Sequence, residues 1–421
     1  MLQRFETLFK DTYIGQNPTA NRGKFLVLPL SFSRVSPDDA TKSFNDYINA
    51  MVRDFSKRYC KSGHLEESID INPSNCFDSL TNLFTTVKRS KQQVYLIVDE
   101  YDSFANAAML NIDTSENDIG SKQYRHLIAS KESLLRNFGN TVKDESTTGA
   151  IGRMFFTGIT PMAFADALSG LNMVDDITHH PMFTSVVGFI RKDLDDALDK
   201  MGMTDKDQCE RCLAKMESHF NGYRFRFGQK EGVYNPQACL RYLRSLIVTG
   251  EAPSPVLDPN IATPSDNMIH FLARHAQSDK AFEGQVTITW KQVLFGKVVR
   301  RLQPSFRSAD LVMATKCESA IVSLAYYHGY LTHAKEPRVL DVSGSLVTLE
   351  CPNQEIQRII LSTLSLESEQ MFPVFNELLK AKEERDEASF ARVFDEVLKL
   401  GCKWLSDVPL PQAILGLPGP K

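Results

Sequence analysis

Short apolar runs and longer amphipathic stretches alternate along the first half of the chain. The apolar runs have the length of β-strands, and the stretches between them repeat apolar residues at helical spacing. Strands that alternate with helices predict right-handed crossovers and a parallel sheet flanked by helices. The predicted strands lie at 25–32, 94–98, 153–157 and 184–188, and the predicted helices at 1–12, 40–59, 77–90 and 124–138.

The second half is mainly helical by the same criterion, until an apolar-rich helix at 319–328 is followed by two short strand patterns. These strands, at 330–332 and 346–349, flank a turn at Gly344 and predict a β-hairpin. Helices followed by a hairpin are typical of a winged-helix-like arrangement, and apolar spacing in the tail predicts an αα-hairpin. The predicted divisions are an α/β core at 1–190, a helical lid-like region at 191–250, a proline-rich linker at 251–266, a winged-helix-like region at 267–355, and an αα-hairpin with a tail at 356–421.

Composition places the chain among globular proteins, and its net charge argues against general attraction to nucleic acid or to membranes. Of the 421 residues, 42% are hydrophobic and 24% are charged, which excludes wholesale disorder. The formal net charge of −4 gives no global field that would draw the chain to nucleic acid or to an anionic membrane. The eight cysteines are scattered through apolar stretches, a pattern that suits reduced thiols better than a disulfide framework. No apolar run approaches the roughly 18 residues of a membrane span, and the N-terminus does not resemble a signal peptide, so an intracellular soluble protein is expected.

The predicted strand at 94–98 ends in an acidic pair, Asp99 and Glu100. Parallel sheets bind their ligands at the carboxyl ends of the strands, so chemistry is expected here. In P-loop ATPases an aspartate at this position, at the end of the Walker-B strand, holds magnesium, and the adjacent glutamate orients or deprotonates the attacking water. The same pattern also fits an ordinary core strand that ends in a solvated acidic turn.

The next predicted strand, at 153–157, also ends in a polar residue, Thr157, which is followed by Gly158. Because neighbouring parallel strands end at one edge, Thr157 is the candidate sensor of the γ-phosphate or of the catalytic water, although a Thr-Gly pair also suits a simple turn. The phosphate-binding loop, Gly-x4-Gly-Lys-Ser/Thr between a strand and a helix, has no match in the sequence. Gly23-Lys24 comes nearest, but Pro18 and Phe25 occupy the positions of the first glycine and of the hydroxyl, and the segment precedes a strand.

Other candidate chemistry is weaker. Cys209 and Cys212 share a helical stretch without a second cysteine pair or a matched histidine pair, so a structural role is favoured over zinc or redox chemistry. His179 and His180 are adjacent and point to different sides of the backbone, which favours a loop surface over a metal site. The sequence has no Gly-x-Ser-x-Gly nucleophile elbow.

Several segments together resemble the AAA-ATPase-like domain family of the P-loop NTPase superfamily, whose members are often fused to a PD-(D/E)XK nuclease. Their order and spacing carry the resemblance over residues 1–250. The segments are 95–102 (YLIVDEYD), 155–161 (FFTGITP), 169–172 (SGLN), 176–178 (DIT), 187–189 (VGF), 220–225 (FNGYRF) and 233–236 (VYNP). The resemblance implies a P-loop NTPase-like fold and the handling of ATP and Mg by Asp99 and Glu100, with Thr157 in the sensor strand.

Two departures from the family pattern change the expected activity. The glycine-rich loop and its lysine would lie before Met1, and no nuclease core of paired acids and Glu-x-Lys follows. Hydrolysis by this chain is therefore expected to be weak or absent, and nuclease activity is not expected. Asn172 and the turn at 221–223 are marks of the family whose role the sequence leaves open, and a turn that needs glycine is the simplest explanation of the second.

Two other functions stay open at this point. In the first, the sheet is a scaffold, and the winged-helix-like region or the αα-hairpin binds a protein partner of unknown identity or a second copy of the chain. In the second, the winged-helix-like region binds DNA. Its basic residues fit a solvated helix face better than a nucleic-acid surface. They are Lys291, Lys297, Arg300, Arg301 and Arg307.

Overall fold

A computed structural model describes most of the chain up to residue 253 and shorter stretches beyond it. The described residues are 2–36, 39–103, 106–107, 133–161, 174–253, 297–302, 318–335 and 346–364, with 377, 380, 386, 388–389 and 392–393. They divide into two compact units, the first containing the described residues up to Asp175 and the second those from Asp176 onwards. The finer divisions at residues 190, 250, 266 and 355 stay predictions.

The first unit is built on a parallel sheet of three strands: β1 (Leu26–Ser31), β2 (Val94–Asp99) and β3 (Ile151–Phe156). Their order is β1-β2-β3, so the acidic segment lies on the central strand. Leu96 pairs with Leu28 on one side and with Met154 on the other. The predicted α/β class and the parallel sheet are confirmed.

Helices connect these strands and cover one face of the sheet. Each of three begins at a polar residue whose side chain accepts a backbone N–H of the first turn, as helix N-caps do: Asp39, Asn75 and Ser133. The helices at 40–59 and 77–90 are confirmed, whereas the helix predicted to end at residue 138 continues to Thr147. The helices of this unit are α1 (Leu2–Phe9), α2 (Tyr13–Gln16), α3 (Ala40–Lys61), α4 (Cys76–Arg89) and α5 (Leu134–Thr147).

The core of the first unit lies on one face of the sheet. Phe32, Phe44 and Phe138 meet there edge to face, with ring centroids 5.2 to 6.2 Å apart. Alternate residues of β2, such as Leu96, are fully buried on this face, whereas Tyr95 and its neighbours on the opposite face are only half-buried by described residues. The alternation accompanies the described helices, since α3 packs against β1, α5 packs against β3, and α4 packs against both helices.

The strand predicted at 184–188 is absent from the structure. Residues 184–187 form turns after a short 3₁₀ segment at Pro181–Phe183, and Val186 and Val187 are exposed. Among the described residues no strand pairs with the apolar run, and Phe189 beyond it makes an isolated bridge, to Tyr234. Local β-propensity is a weak signal without a sheet to join.

The second unit combines helices with a small antiparallel sheet of order β4-β6-β5. The strands predicted at 330–332 and 346–349 do pair, as β5 (Thr332–His333) and β6 (Leu346–Glu350), while their predicted turn at Gly344 lies outside the described residues. Lys297, Arg300 and Arg301 lie on β4 (Lys297–Arg301), not on the helix face that the charge pattern suggested. The described helices are α6 (Arg191–Lys200), α7 (Lys206–Phe220), α8 (Pro236–Thr249), α9 (Glu318–Tyr327) and α10 (Gln354–Leu364).

The predicted linker at 251–266 and the predicted αα-hairpin fall largely outside the described residues, as do Lys291 and Arg307. Among the helices that the structure describes, none has the length and apolar character needed to cross a lipid bilayer.

Candidate functional site

Two of the predicted site residues meet at the carboxyl end of the parallel sheet. Asp99 is the last residue of β2, and Thr157 directly follows β3. The backbone N–H of Thr157 donates to the carbonyl oxygen of Val98 at 2.9 Å, which extends the pairing of the two strands by one residue. This places the Thr157 hydroxyl against the Asp99 carboxylate, where it donates a hydrogen bond to Oδ1.

Glu100, the third predicted site residue, has an unusual backbone. It lies in the left-handed region with φ of 50°, which glutamate rarely adopts and which costs on the order of 1 kcal/mol. Its carbonyl oxygen accepts the backbone N–H of Ser103 at 3.0 Å, closing a tight turn. The side chains of Asp99 and Glu100 are exposed, whereas the turn directs the two residues that follow into the interior.

Asp102, which is only 1% exposed, joins this turn to the one that follows β3. Its Oδ2 accepts the backbone N–H groups of Thr160 at 2.6 Å and of Ile159 at 3.0 Å. The side-chain amide of Asn106 donates to the same oxygen at 2.8 Å, and the Thr160 hydroxyl lies within 3.0 Å of both Asp102 Oδ2 and Asn106 Oδ1. The sequence did not mark Asp102, Asn106 or Thr160 as site residues, although two of them belong to the segments that carry the family resemblance.

Tyr101 and Gly158 bring the two turns into close contact. The Tyr101 backbone N–H donates to the carbonyl oxygen of Thr157 at 3.0 Å, and the buried Tyr101 hydroxyl donates to the carbonyl oxygen of Thr160. A Cβ atom on Gly158 would lie 2.6 Å from Asp102 Oδ1 and closer still to the Tyr101 ring. Glycine is therefore needed here for close approach, which is a stronger reason than turn geometry alone.

The electrostatic setting of this edge is negative. Within the described part of the chain, no ion pair involves Asp99, Glu100 or Asp102. Exposed carboxylate oxygens without a cationic partner suit a hard cation such as Mg²⁺, which keeps several of its waters and takes one or two carboxylates from the protein. The described residues contain no group of three or more metal-ligating side chains, so a site with few protein ligands is the arrangement that fits.

The weaker candidate residues from the sequence have surroundings in the described structure that favour a structural role. Gly23 and Lys24 lie in a turn that leads into β1, not between a strand and a helix. Cys212 is buried in α7, and burial raises the pKa of the Cys209 thiol, which disfavours the reactive thiolate. The Nδ1–H of His179 donates a hydrogen bond to the carbonyl oxygen of Phe225 at 2.6 Å.

The turn at 221–223, part of the resemblance to the AAA-ATPase-like family, lies in the second unit and has a packing role there. Gly222 has φ of 103°, and a Cβ atom at this position would collide with the carbonyl oxygen of Pro352. The side chain of Asn353 donates to the carbonyl oxygen of Asn221 at 2.7 Å. Burial raises the pKa of Tyr223, the next residue, well above its ordinary value. A turn that needs glycine thus accounts for this segment, while Asn172 lies outside the described residues.

Comparison with known proteins gives one family. Residues 1–168 match the model of the AAA-ATPase-like family, described as a predicted AAA-ATPase. The matched range contains the whole parallel sheet and every residue of the edge formed by Asp99, Glu100, Asp102, Thr157 and Thr160. No curated protein matches the chain. The family recognised from the sequence segments is confirmed over these residues.

Proposed function

With an AAA-ATPase-like domain at residues 1–168 as the premise, we propose that the carboxyl end of its parallel sheet is a site for Mg²⁺ and the phosphates of ATP. One observation carries the proposal: the Thr157 hydroxyl donates to the Asp99 carboxylate between adjacent strand ends, at an exposed edge. Ligands of open α/β sheets bind at this end of the strands. The carboxylates of Asp99 and Glu100 have no ion-pair partner within the described residues, which leaves them available.

Each side chain has a distinct role in this proposal. Asp99 supplies an oxygen ligand for Mg²⁺, and the ion, when bound, offsets the charge of the phosphates. Glu100 orients the attacking water and accepts its proton. Thr157 donates its hydroxyl to a phosphate oxygen or to that water. Because a hydroxyl carries one proton, Thr157 must release Asp99 in order to do so.

The proposed site lacks one element that ATP hydrolysis needs. The sequence contains no Gly-x4-Gly-Lys-Ser/Thr, the element whose backbone amides and lysine hold the β- and γ-phosphates. Asp99, Glu100 and Thr157 contact the metal, the water and one phosphate at most. Nucleotide binding by these 421 residues is therefore weak, and hydrolysis is weak or absent.

Titration of the chain with a fluorescent ATP analogue, with and without Mg²⁺, tests this function. We expect Mg²⁺-dependent binding that Asp99→Asn weakens by at least the roughly tenfold that loss of a residue orienting a metal ligand costs. Asp70→Asn, which removes an exposed carboxylate of the same unit, is the control and should leave binding unchanged. Binding that is identical in wild type and Asp99→Asn contradicts the proposed site. Robust ATP turnover that Glu100→Gln abolishes would support the site and contradict the expected inactivity.

A second candidate function, a non-catalytic scaffold that binds a protein partner, is favoured by one observation. The outward side of α8 presents Leu240, Ile247 and Val248, which are 56%, 67% and 73% exposed. These positions share one side of the helix, on which the exposed Arg244 lies between Leu240 and Val248, and exposed apolar side chains of this kind are often covered by partners. This function predicts that a partner is captured by wild type and by Asp99→Ala alike, whereas an ATP-dependent interaction is lost in that variant.

DNA binding is the least supported candidate. The antiparallel sheet β4-β6-β5, with α9 between β4 and β5 in the chain, is compatible with a winged-helix-like fold, and Lys297 and Arg301 are exposed on β4. Helix α9, however, carries no lysine or arginine, and its described central residues are buried. A helix in this state cannot read a major groove. Steep salt dependence of DNA binding is the result that would favour this function.

A further inference from the structure

Asp102 lies where the turn after β2 meets the turn after β3, with 1% of its surface exposed. A side chain this deeply buried does not reach a nucleotide, yet it lies three residues from Asp99 and two from Glu100. We infer that Asp102 is a positioning residue that holds the Asp99 and Glu100 carboxylates in place for metal binding. This inference rests on the proposed function.

The hydrogen-bond donors around the Asp102 carboxylate show which parts of the chain it fixes in place. Two of them are backbone N–H groups, of Ile159 and Thr160, so the carboxylate fixes the path of the chain and not only the rotamer of a neighbour. Asn106 donates to the same oxygen and is itself contacted by the Thr160 hydroxyl, which closes a ring of hydrogen bonds. With these donors in place the carboxylate has little remaining capacity for a metal ion. Asp102 therefore acts through other residues.

Glu100 is the residue through which loss of the Asp102 carboxylate would change the proposed metal site. It is held in the left-handed region between two anchored segments, β2 before it and Asp102 after it. A glutamate without such anchors relaxes to negative φ, because the left-handed region is unfavourable for residues with a side chain. Relaxation would rotate the Glu100 side chain and strain the nearby bonds of Thr157, which accepts the Tyr101 N–H and donates to Asp99.

A buried carboxylate elsewhere in the same unit provides a matched control. Glu145 is 8% exposed and lies near the end of α5, which leads to the start of β3, so it belongs to the opposite end of the sheet. Its Oε2 accepts the Lys88 ammonium at 3.1 Å and the Thr148 hydroxyl at 3.1 Å. Loss of either carboxylate perturbs the fold, but only Asp102 is connected to the proposed metal site.

The experiment compares two pairs of substitutions in the full chain. Asp102→Asn is set against Glu145→Gln, and Thr160→Val, which removes one hydroxyl of the ring, is set against Thr148→Val. Binding of Mn²⁺ alone is measured from the electron paramagnetic resonance of the free ion, with binding to Asp99→Ala subtracted as the background. Hydrogen–deuterium exchange of peptides that contain the amides of Tyr101 and Thr157 is measured on the same variants.

We expect Asp102→Asn to weaken Mn²⁺ binding by roughly tenfold and Thr160→Val by a smaller factor, as loss of residues that orient metal ligands does. Thr160→Ser, which restores the hydroxyl, should recover wild-type affinity. Exchange of the Tyr101 and Thr157 amides, whose N–H groups donate to Thr157 and Val98 and not to the Asp102 carboxylate, should accelerate by a similar factor. Glu145→Gln and Thr148→Val should leave both quantities unchanged even if they lower the melting temperature.

Two results would overturn the inference. One is Mn²⁺ affinity and exchange that follow the melting temperature equally in all four variants, since that is the behaviour of a merely structural residue. The other is unchanged exchange at Tyr101 and Thr157 in folded Asp102→Asn. Absence of any Asp99-dependent Mn²⁺ binding in wild type counts against the proposed function instead, and the exchange data then decide alone whether Asp102 positions this edge. If Asp102→Asn does not fold, Thr160→Val carries the comparison.

Discussion

The central strand of each sheet ends in a carboxylate, and the two carboxylates have opposite surroundings. Asp99 ends β2 of the parallel sheet, is exposed, and accepts one hydroxyl from Thr157. Glu350 ends β6 of the antiparallel sheet, and its Oε1 accepts the Arg224 guanidinium at 3.3 Å and the Lys335 backbone N–H at 3.1 Å.

The difference in surroundings distinguishes an acid that stabilises the fold, Glu350, from one that is available to bind a cation, Asp99. The charge of Glu350 is already balanced by a cation that is itself largely buried, so its removal leaves an uncompensated guanidinium. The charge of Asp99 has no cation near it among the described residues, so its balance must come from outside the protein. Position at a strand end is the same in both, and the partner decides the role.

The largest effect is expected on breaking the Arg224–Glu350 pair. Arg224→Ala removes the guanidinium that contacts Glu350 and the carbonyl oxygen of Gly222, and leaves a partly buried carboxylate without its cation. We expect the free energy of unfolding to fall by about 3 to 4 kcal/mol. Urea unfolding followed by circular dichroism measures this change.

Arg191→Ala is the control for that variant, because Arg191 also faces several carboxylates but is 39% exposed with its partners exposed as well. Its loss should cost less than about 1 kcal/mol. Equal losses from the two arginines would mean that burial does not distinguish the two kinds of pair, and the contrast with Asp99 would no longer hold.

A third carboxyl group, Glu355, sharpens the comparison through pH. It lies in the first turn of α10, 5% exposed, with an Oε2 that has no hydrogen-bond partner in the described residues. Burial raises the pKa of this carboxyl to about 7, although Arg241 and Arg358 act to lower it. The folded state therefore holds the proton more tightly than the unfolded state does, and stability present at low pH is lost as the pH rises through about 7.

We expect the second unit to lose about 2 to 3 kcal/mol of stability between pH 5 and pH 8 from this group. Glu355→Gln should remove that part of the pH dependence, and Glu231→Gln, at an exposed position, should keep it. Thermal melts across this pH range measure the slopes. A slope that survives in Glu355→Gln would assign it to another group.

The smallest effect on stability is expected at Asp99 itself. Asp99→Asn keeps an acceptor for the Thr157 hydroxyl and reduces repulsion from Glu100 and Asp102, so the free energy of unfolding should change by less than about 0.5 kcal/mol or rise slightly. Chemical denaturation alongside the nucleotide titration measures both properties in one variant. A loss of 2 kcal/mol or more, well above what surface substitutions cost (about 0.5 kcal/mol), would make Asp99 a structural acid like Glu350.

The sequence predicts those parts of the fold whose signal is local and repeated. The apolar run at 94–98 identifies β2, and helical spacing identifies α3 and α4 to within two residues. The short segment that forms β4 could not be recognised, because its five residues, KVVRR, have no period-two alternation and only their pairing with β6 makes them a strand. The prediction at 184–188 is wrong for the converse reason, since that run has the composition of a strand but pairs with no strand in the part of the chain that the structure describes.

The candidate site also contains residues that the sequence predicts and residues that it does not. Asp99 and Thr157 could be brought together from sequence because the ends of adjacent parallel strands coincide, and the structure pairs them. Asp102 and Thr160 could not, because both lie beyond the strand ends and their contact depends on the left-handed backbone of Glu100, which nothing in the residue type signals. The spacing of an acid three residues after Asp99 was visible, but its burial was not.

The backbone of Glu100 has a consequence for engineering this protein. Glycine or asparagine adopts φ of 50° more readily than glutamate, so a search for stabilising substitutions would select position 100 early. The substitution would improve folding and remove the carboxylate proposed to activate water. Thermal stability alone is therefore a misleading screen at this residue, where the variant that melts highest is the one expected to have lost its chemistry.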